Sequence, residues 1–207
     1  MRTTQRIRLA ALAAGVAGLA VLAGLARSQE PPANPEEMAK YMAEWMKLNA
    51  PGAEHKKLEW FVGDWNVATG MAGMPGTGKG SATFAMALGG RWLRQDYRGA
   101  MDMGGQTVTM EGLGLLGFDR VRNRYVQTWC DNLSTVLLTG TGFFDREGKA
   151  LQLFGEMDEP QMKVYGKHFK WIVRITGADA FTYEIHDMHI GETNTKVMEI
   201  QYTRKKK

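Results

Sequence analysis

The sequence predicts an all-β fold: a closed antiparallel up-and-down barrel of about ten strands with an N-terminal helical segment. Three observations predict it. After Gly63 the apolar period changes from about 3.6 residues to about 2 and stays there to the end of the chain. The alternating segments are each closed by Gly, Asn or Asp turn residues. The connections are short, such as Gly89-Gly90, Gly104-Gly105, Arg146-Glu147-Gly148 and Gly177-Ala178, so consecutive strands are antiparallel neighbours. Strands in that order either leave two exposed edges or close on themselves, and closure removes the edges. A barrel of that strand number is too wide for its own side chains to fill, so a cavity is expected.

The elements follow in chain order. Residues 1–28 read as a signal peptide. Met1 to Arg8 is basic, 9–26 is an uncharged run of mostly Ala, Leu, Gly and Val, and Ala26-Arg27-Ser28 is a small-residue exit before Gln29. An uncleaved anchor is the competing reading. There is no Cys near the exit and no Arg-Arg pair, which argues against a lipoprotein and against twin-arginine export. The expected location is secreted or periplasmic, with no stable membrane insertion after cleavage.

Residues 29–53 read as a linker and an amphipathic helix. Asn34 caps a helix over 36–48, in which Met38, Met42 and Met46 recur every fourth residue beside Tyr41 and Trp45, and Pro51-Gly52 ends it. The Met stripe suits packing on its own domain, or contact with a partner. Residues 54–207 form the barrel domain. A short helical piece at 55–62 leads into strands near 64–71, 79–88, 91–102, 106–118, 123–131, 134–145, 149–157, 167–176, 179–188 and 195–204. Ala82, Phe84, Met86 and Leu88 share one face of the second strand. Phe169, Trp171, Val173 and Ile175 do so on the eighth, and Met198, Ile200 and Tyr202 on the tenth.

Charge narrows the partners. The chain has 207 residues, 26 Lys+Arg and 22 Asp+Glu, a formal charge of +4. Arg2, Arg6, Arg8 and Arg27 lie in the signal segment, which has no acid, so the remainder is balanced. Arg204-Lys205-Lys206-Lys207 is a solvated basic tip. No basic patch remains to support nucleic-acid binding. A single cysteine, Cys130, excludes an internal disulfide framework.

The tempting motifs reduce to structure. Gly73 to Gly80 approaches a phosphate loop, but Gly80 stands where Ser or Thr is needed and the flanks are strands, so a hairpin loop is expected. His186 and His189 straddle a strand end, and His168 and His186 point away from the apolar faces, so no metal set converges. No nucleophile with its base is present, and no catalytic residue, metal or cofactor is assigned. The fifth strand is ambiguous. Tyr125, Gln127, Trp129 and Asp131 form one face, and Val126, Thr128 and Cys130 form the other. If the Trp129 face is inward, the lumen holds an aromatic wall and a carboxylate, suited to orienting a largely apolar ligand. Gln95, Tyr97, Trp129, Asp131 and Tyr183 are the lining candidates. Glu156 is a second carboxylate considered for acid–base chemistry.

His55 to Trp65, a short helix followed by Gly-x-Trp, resembles the opening of calycin barrels. In lipocalin-like proteins the Trp packs at the closed end under an Arg from the last strand, and that resemblance implies the pairing of Trp65 with Arg204. Gly89-Gly90-Arg91-Trp92-Leu93, Gly114 to Asp119, Trp129-x-Asp131 with Ser134-Thr135, and Glu199-Ile200-x-Tyr202-x-Arg204 resemble the bacterial family filed as domain of unknown function 1579. That resemblance covers about residues 54–205 and implies the barrel without implying an activity. The strand number is also similar to that of nitrobindin-type haem barrels. The expected function is binding of a small, largely apolar ligand in the lumen. The alternatives are a haem or other cofactor barrel, and an interaction module that uses helix 36–48.

Overall fold

The computed structural model describes residues 34–71, 77–103, 105–188 and 195–206. The segment 1–28 read as a signal peptide, the core of the Gly73–Gly80 loop and His189 lie outside the described residues. The chain divides into two compact units, Met1–Asn49 and Ala50–Lys207.

In the first unit, α1 (Pro35–Leu48) begins with Asn34, whose side chain accepts a 2.8 Å hydrogen bond from the Glu37 amide. Pro35 occupies the first turn, where its missing N–H costs nothing, and Glu36 and Glu37 lie at the positive end of the helix dipole. No described helix is long and apolar enough to cross a membrane.

The second unit opens with α2 (Ala53–Leu58) and a 3-10 turn (Glu59–Phe61). Ten strands follow: β1 (Gly63–Met71), β2 (Thr77–Ala87), β3 (Trp92–Met103), β4 (Gln106–Asp119), β5 (Arg124–Asp131), β6 (Leu138–Phe144), β7 (Ala150–Glu159), β8 (Val164–Gly177), β9 (Ala180–Asp187) and β10 (Lys196–Arg204). Each pairs antiparallel with its sequence neighbours, and β1 pairs with β10, which closes the barrel. The β2–β3 turn needs three consecutive left-handed residues, Leu88, Gly89 and Gly90, which explains the glycine pair there.

Three strands differ most from the sequence reading. The sixth strand starts at Leu138 rather than 134, because side chains take the preceding backbone. Asp131 accepts from the Leu133 amide, Ser134 from the Val136 amide, and Asn132 from the Glu111 amide. β7 and β8 run longer than expected, to a 3-10 turn at Pro160–Met162 with a bulge between Met157 and Glu159.

One end of the barrel is closed by side chains. Arg204 lies 4.2 Å from the Trp65 ring, donates to the Val62 and Trp60 carbonyls at 2.7 and 2.8 Å, and pairs with Asp179 at 3.1 Å. The Trp65 indole donates to the Phe61 carbonyl at 2.8 Å. Phe181 stacks on Tyr202 at 4.2 Å and meets Trp65 edge-on at 4.8 Å. Each such ring, fully buried, contributes roughly 1.5–3 kcal/mol. On the other side of this end, Tyr125 donates to the Glu54 carbonyl at 3.1 Å, and the His55 ring, its pKa lowered by burial, accepts from the Gly52 amide at 3.0 Å.

Candidate ligand site in the barrel lumen

The alternation of each strand sets what enters the lumen. On β3, Leu93, Gln95 and Tyr97 are buried, and on β5, Tyr125 and Gln127 are buried. The Trp129 face of β5 is therefore inward. Its ring lies against Gly112 of β4, where an added Cβ would stand 2.2 Å from it. Glycine at that position leaves the indole its place.

Above the closed end, a layer of paired amides and phenols crosses the lumen. Gln95 Nε2 donates to the Tyr202 hydroxyl at 3.1 Å, and Gln127 Nε2 donates to the Tyr183 hydroxyl at 2.6 Å. Burial raises the pKa of both phenols, and each is neutral at ordinary pH. Below the layer is a gap of about 20 Å³ among Phe61, Phe84, Leu93, Leu116, Val173 and Phe181. Above it the lumen widens to a cavity of about 220 Å³. Gln95, Gln127, Tyr183 and Tyr202 form its floor; Trp129, Trp171, Met110, Leu138, Ile185, Met198 and Ile200 form its walls. Asp131 lines both this cavity and an outer groove. Its carboxylate accepts from the Trp129 indole at 2.9 Å and from the Leu133 amide at 3.0 Å, which fixes the indole against the wall.

Of the five residues read from the sequence, Gln95, Trp129, Asp131 and Tyr183 line the cavity together. Tyr97 is buried beside it, 6.2 Å from the Trp129 ring, with its hydroxyl packed over Gly80 and Gly99 and bonded to Thr69. The sequence reading did not select Gln127, although it lies on the Trp129 face; alternation marked it as inward, but its bond to Tyr183, 56 residues away, depends on register. Glu156 faces outward, 65% exposed and 3.5 Å from His168, so it supplies no second carboxylate to the lumen. The outer groove, about 520 Å³, is open and lined by charged groups already paired with each other, Arg94 with Asp96 and Arg98 with Glu111.

A haem would need an inward axial donor and room for a macrocycle. Among the described histidines, His55 is used at the closed end, His168 is outward, and His186 lies between Glu184 and Thr195 on the outer face. A cavity of about 150 Å³ takes benzene, and this one is only half as large again. These residues do not fit haem. Among the described residues no cluster of three or more His, Cys, Asp or Glu is arranged to hold a metal ion.

Two solved structures resemble the chain in outline. EF1p2_mFAP2b bound to DFHBI matches at 10% identity and a TM-score of 0.40, covering 74% of this chain and 100% of its own. A redesigned beta barrel, mFAP1, bound to DFHBI matches at 12% identity and a TM-score of 0.37, covering 74% of this chain and 100% of its own. No curated protein matches the sequence. Residues 50–204, nearly all of the second unit, match the family described as Protein of unknown function (DUF1579), and the chain belongs to that family.

Proposed function

We propose that the protein is an exported, calycin-like barrel that holds a small, largely apolar molecule in its lumen. The observation that carries this reading is the cavity of about 220 Å³, walled by two tryptophans and aliphatic side chains above a polar floor. Apolar walls supply affinity by burying ligand surface, and a few fixed polar groups set orientation. The closed end supports the same reading. Arg204, Trp65 and Phe181 seal it without using the lumen above, so the closed end leaves the cavity free. Export rests on the basic start, the apolar run 9–26 and the small-residue exit of the first 28 residues.

Native mass spectrometry of the purified protein tests the binding reading. A small non-covalent adduct that disappears on denaturation is expected, or uptake of an apolar aromatic probe that quenches tryptophan emission. A protein with neither property would not be a ligand-binding barrel. N-terminal sequencing of the protein isolated from its own cells tests export, with Gln29 expected as the first residue; an intact residue 1 in the cytoplasmic fraction would contradict it.

A further inference from the structure

We infer that the lumen takes a small organic ammonium, with an apolar body about the size of a fused bicycle among the cavity walls and a protonated amine that donates to the Asp131 carboxylate. The inference rests on the binding reading above and names the ligand class.

Asp131 alone among the described residues that line the cavity carries a charge. It is the last residue of β5, on the same face as Trp129, and it is half-buried, so the carboxylate is within reach. Both of its oxygens are held in place. Oδ2 accepts from the Trp129 indole at 2.9 Å and Oδ1 from the Leu133 amide at 3.0 Å. Both donors are neutral. A carboxylate has about four acceptor positions, so each oxygen keeps room for a further donor. Asp131 takes part in none of the ion pairs among the described residues. A fixed carboxylate with no cation of its own, on the wall of an apolar cavity, favours a ligand that brings one.

The aromatic surface favours the same charge. Trp129 and Trp171 stand on the walls, and Tyr183 lies 6.0 Å from Trp171. Ring faces attract a cation, more strongly as water is excluded. The indole bonded to Asp131 brings ring and carboxylate to one place. An anion would meet Asp131 and no counter-charge. Lys167, on the inward face of β8, is held by Glu159 and Asp187 and does not line the cavity. The Tyr183 and Tyr202 phenols are kept neutral by burial. Deep in a protein, desolvating an ammonium and a carboxylate can cost more than their attraction returns. Asp131 also lines the outer groove, so the pair forms at the edge of the lumen with water at hand. The volume exceeds that of a benzene-sized site, about 150 Å³, by roughly the second ring of a bicycle.

The test is calorimetric titration of the purified chain with 2-naphthylmethylamine, 2-naphthalenemethanol and 2-naphthoate. At neutral pH these share a ring system and are cationic, neutral and anionic. The inference expects the amine to bind about tenfold or more tightly than the alcohol, and the carboxylate more weakly than the alcohol. It expects Asp131→Asn, which keeps the side-chain shape, to reduce the preference for amine over alcohol to about twofold or less. A preference is a ratio within one protein, so a general loss of affinity from a displaced Trp129 cancels. The amine should also displace 2-naphthol, a fluorescent neutral probe of the lumen. An alcohol bound as tightly as the amine would overturn the inference, and so would a carboxylate bound most tightly. An amine preference that persists in Asp131→Asn would remove Asp131 from the account. Amine and 2-naphthol bound together would place the amine in the outer groove and overturn it too. If none of the compounds binds, the lumen-binding reading falls as well, so the two failures are distinguishable. The ligand series on the unaltered protein decides the matter even if Asp131→Asn does not fold.

Discussion

At Gly112 a missing side chain shapes the cavity. A Cβ there would lie 2.2 Å from the Trp129 ring, and the backbone is outside the left-handed region, so alanine is forbidden only by the indole. Gly112→Ala should therefore fold, lose about 1–3 kcal/mol from overpacking, and displace Trp129. Tryptophan emission should shift and aromatic-probe affinity fall about tenfold or more; unchanged emission and affinity would mean that the ring has other room. The same residue scale shows where sequence reading stops. Alternation along β3 correctly turns Tyr97 inward, but the place of its hydroxyl depends on Gly80 and Gly99 lying paired across β2 and β3. A cross-strand register of that kind leaves no trace in the spacing of residues on one strand. Trp129 was ambiguous for a different reason. Both faces of β5 carry apolar residues, and the deciding feature is on β4, where Gly112 and Gly114 provide space on the inward face.

Among the elements, β7, β8 and β9 are joined by an ion cluster. Lys167 shares the inward phase of Phe169 and Trp171, and its ammonium lies 2.5 Å from Glu159 and 2.9 Å from Asp187. Burial opposes the charged ammonium, but the hydrogen bonds and charges of Glu159 and Asp187 outweigh it, and the Lys167 pKa is raised. The lysine joins three strands next to the bulge at Met157 and Glu159, where ladder pairing is interrupted. Lys167→Met would leave two carboxylates facing each other without their cation. A loss of about 3 kcal/mol is expected in urea unfolding; a change below about 0.5 kcal/mol would show that the cluster is no more than a solvated surface pair. Element order and faces were legible in the sequence, because period and turn chemistry are local properties. Lengths were less so: β6 is shortened by the side chains of Asp131, Asn132 and Ser134, and β7 and β8 are lengthened by pairing that only the partner strand determines.

For the barrel as a whole, closure makes one packed end with a cavity in the lumen above it. The pairing of Arg204 with Trp65 could be anticipated because it follows from phase along β10 and from resemblance to lipocalin-like barrels. The layer of amides and phenols could not, since Gln95 and Tyr202 are 107 residues apart. That layer and the closed end give the barrel a defined alkaline limit. Burial, with a smaller effect from the Glu54 charge, pushes the Tyr125 phenol up to about 12, and burial raises Tyr183 and Tyr202 as well. An unfolded chain ionises its tyrosines near pH 10. The folded protein holds these protons longer, so their contribution is fully present below about pH 10 and is lost as pH rises through the folded value of Tyr125. Urea midpoints should be flat with respect to these groups from about pH 8 to 10 and fall above that, together with a rise in tyrosinate absorbance. Tyrosinate formed near pH 10 with no loss of fold would show that the phenols are not held by the interior.

The central claim is that the cup above the Gln95 and Gln127 layer is a binding site, and a crystal structure of the protein soaked with 2-naphthol tests it most directly. The account predicts the ring system in the lumen between Trp129 and Trp171. A lumen filled by its own side chains, with the probe bound only on the outer surface, would contradict it.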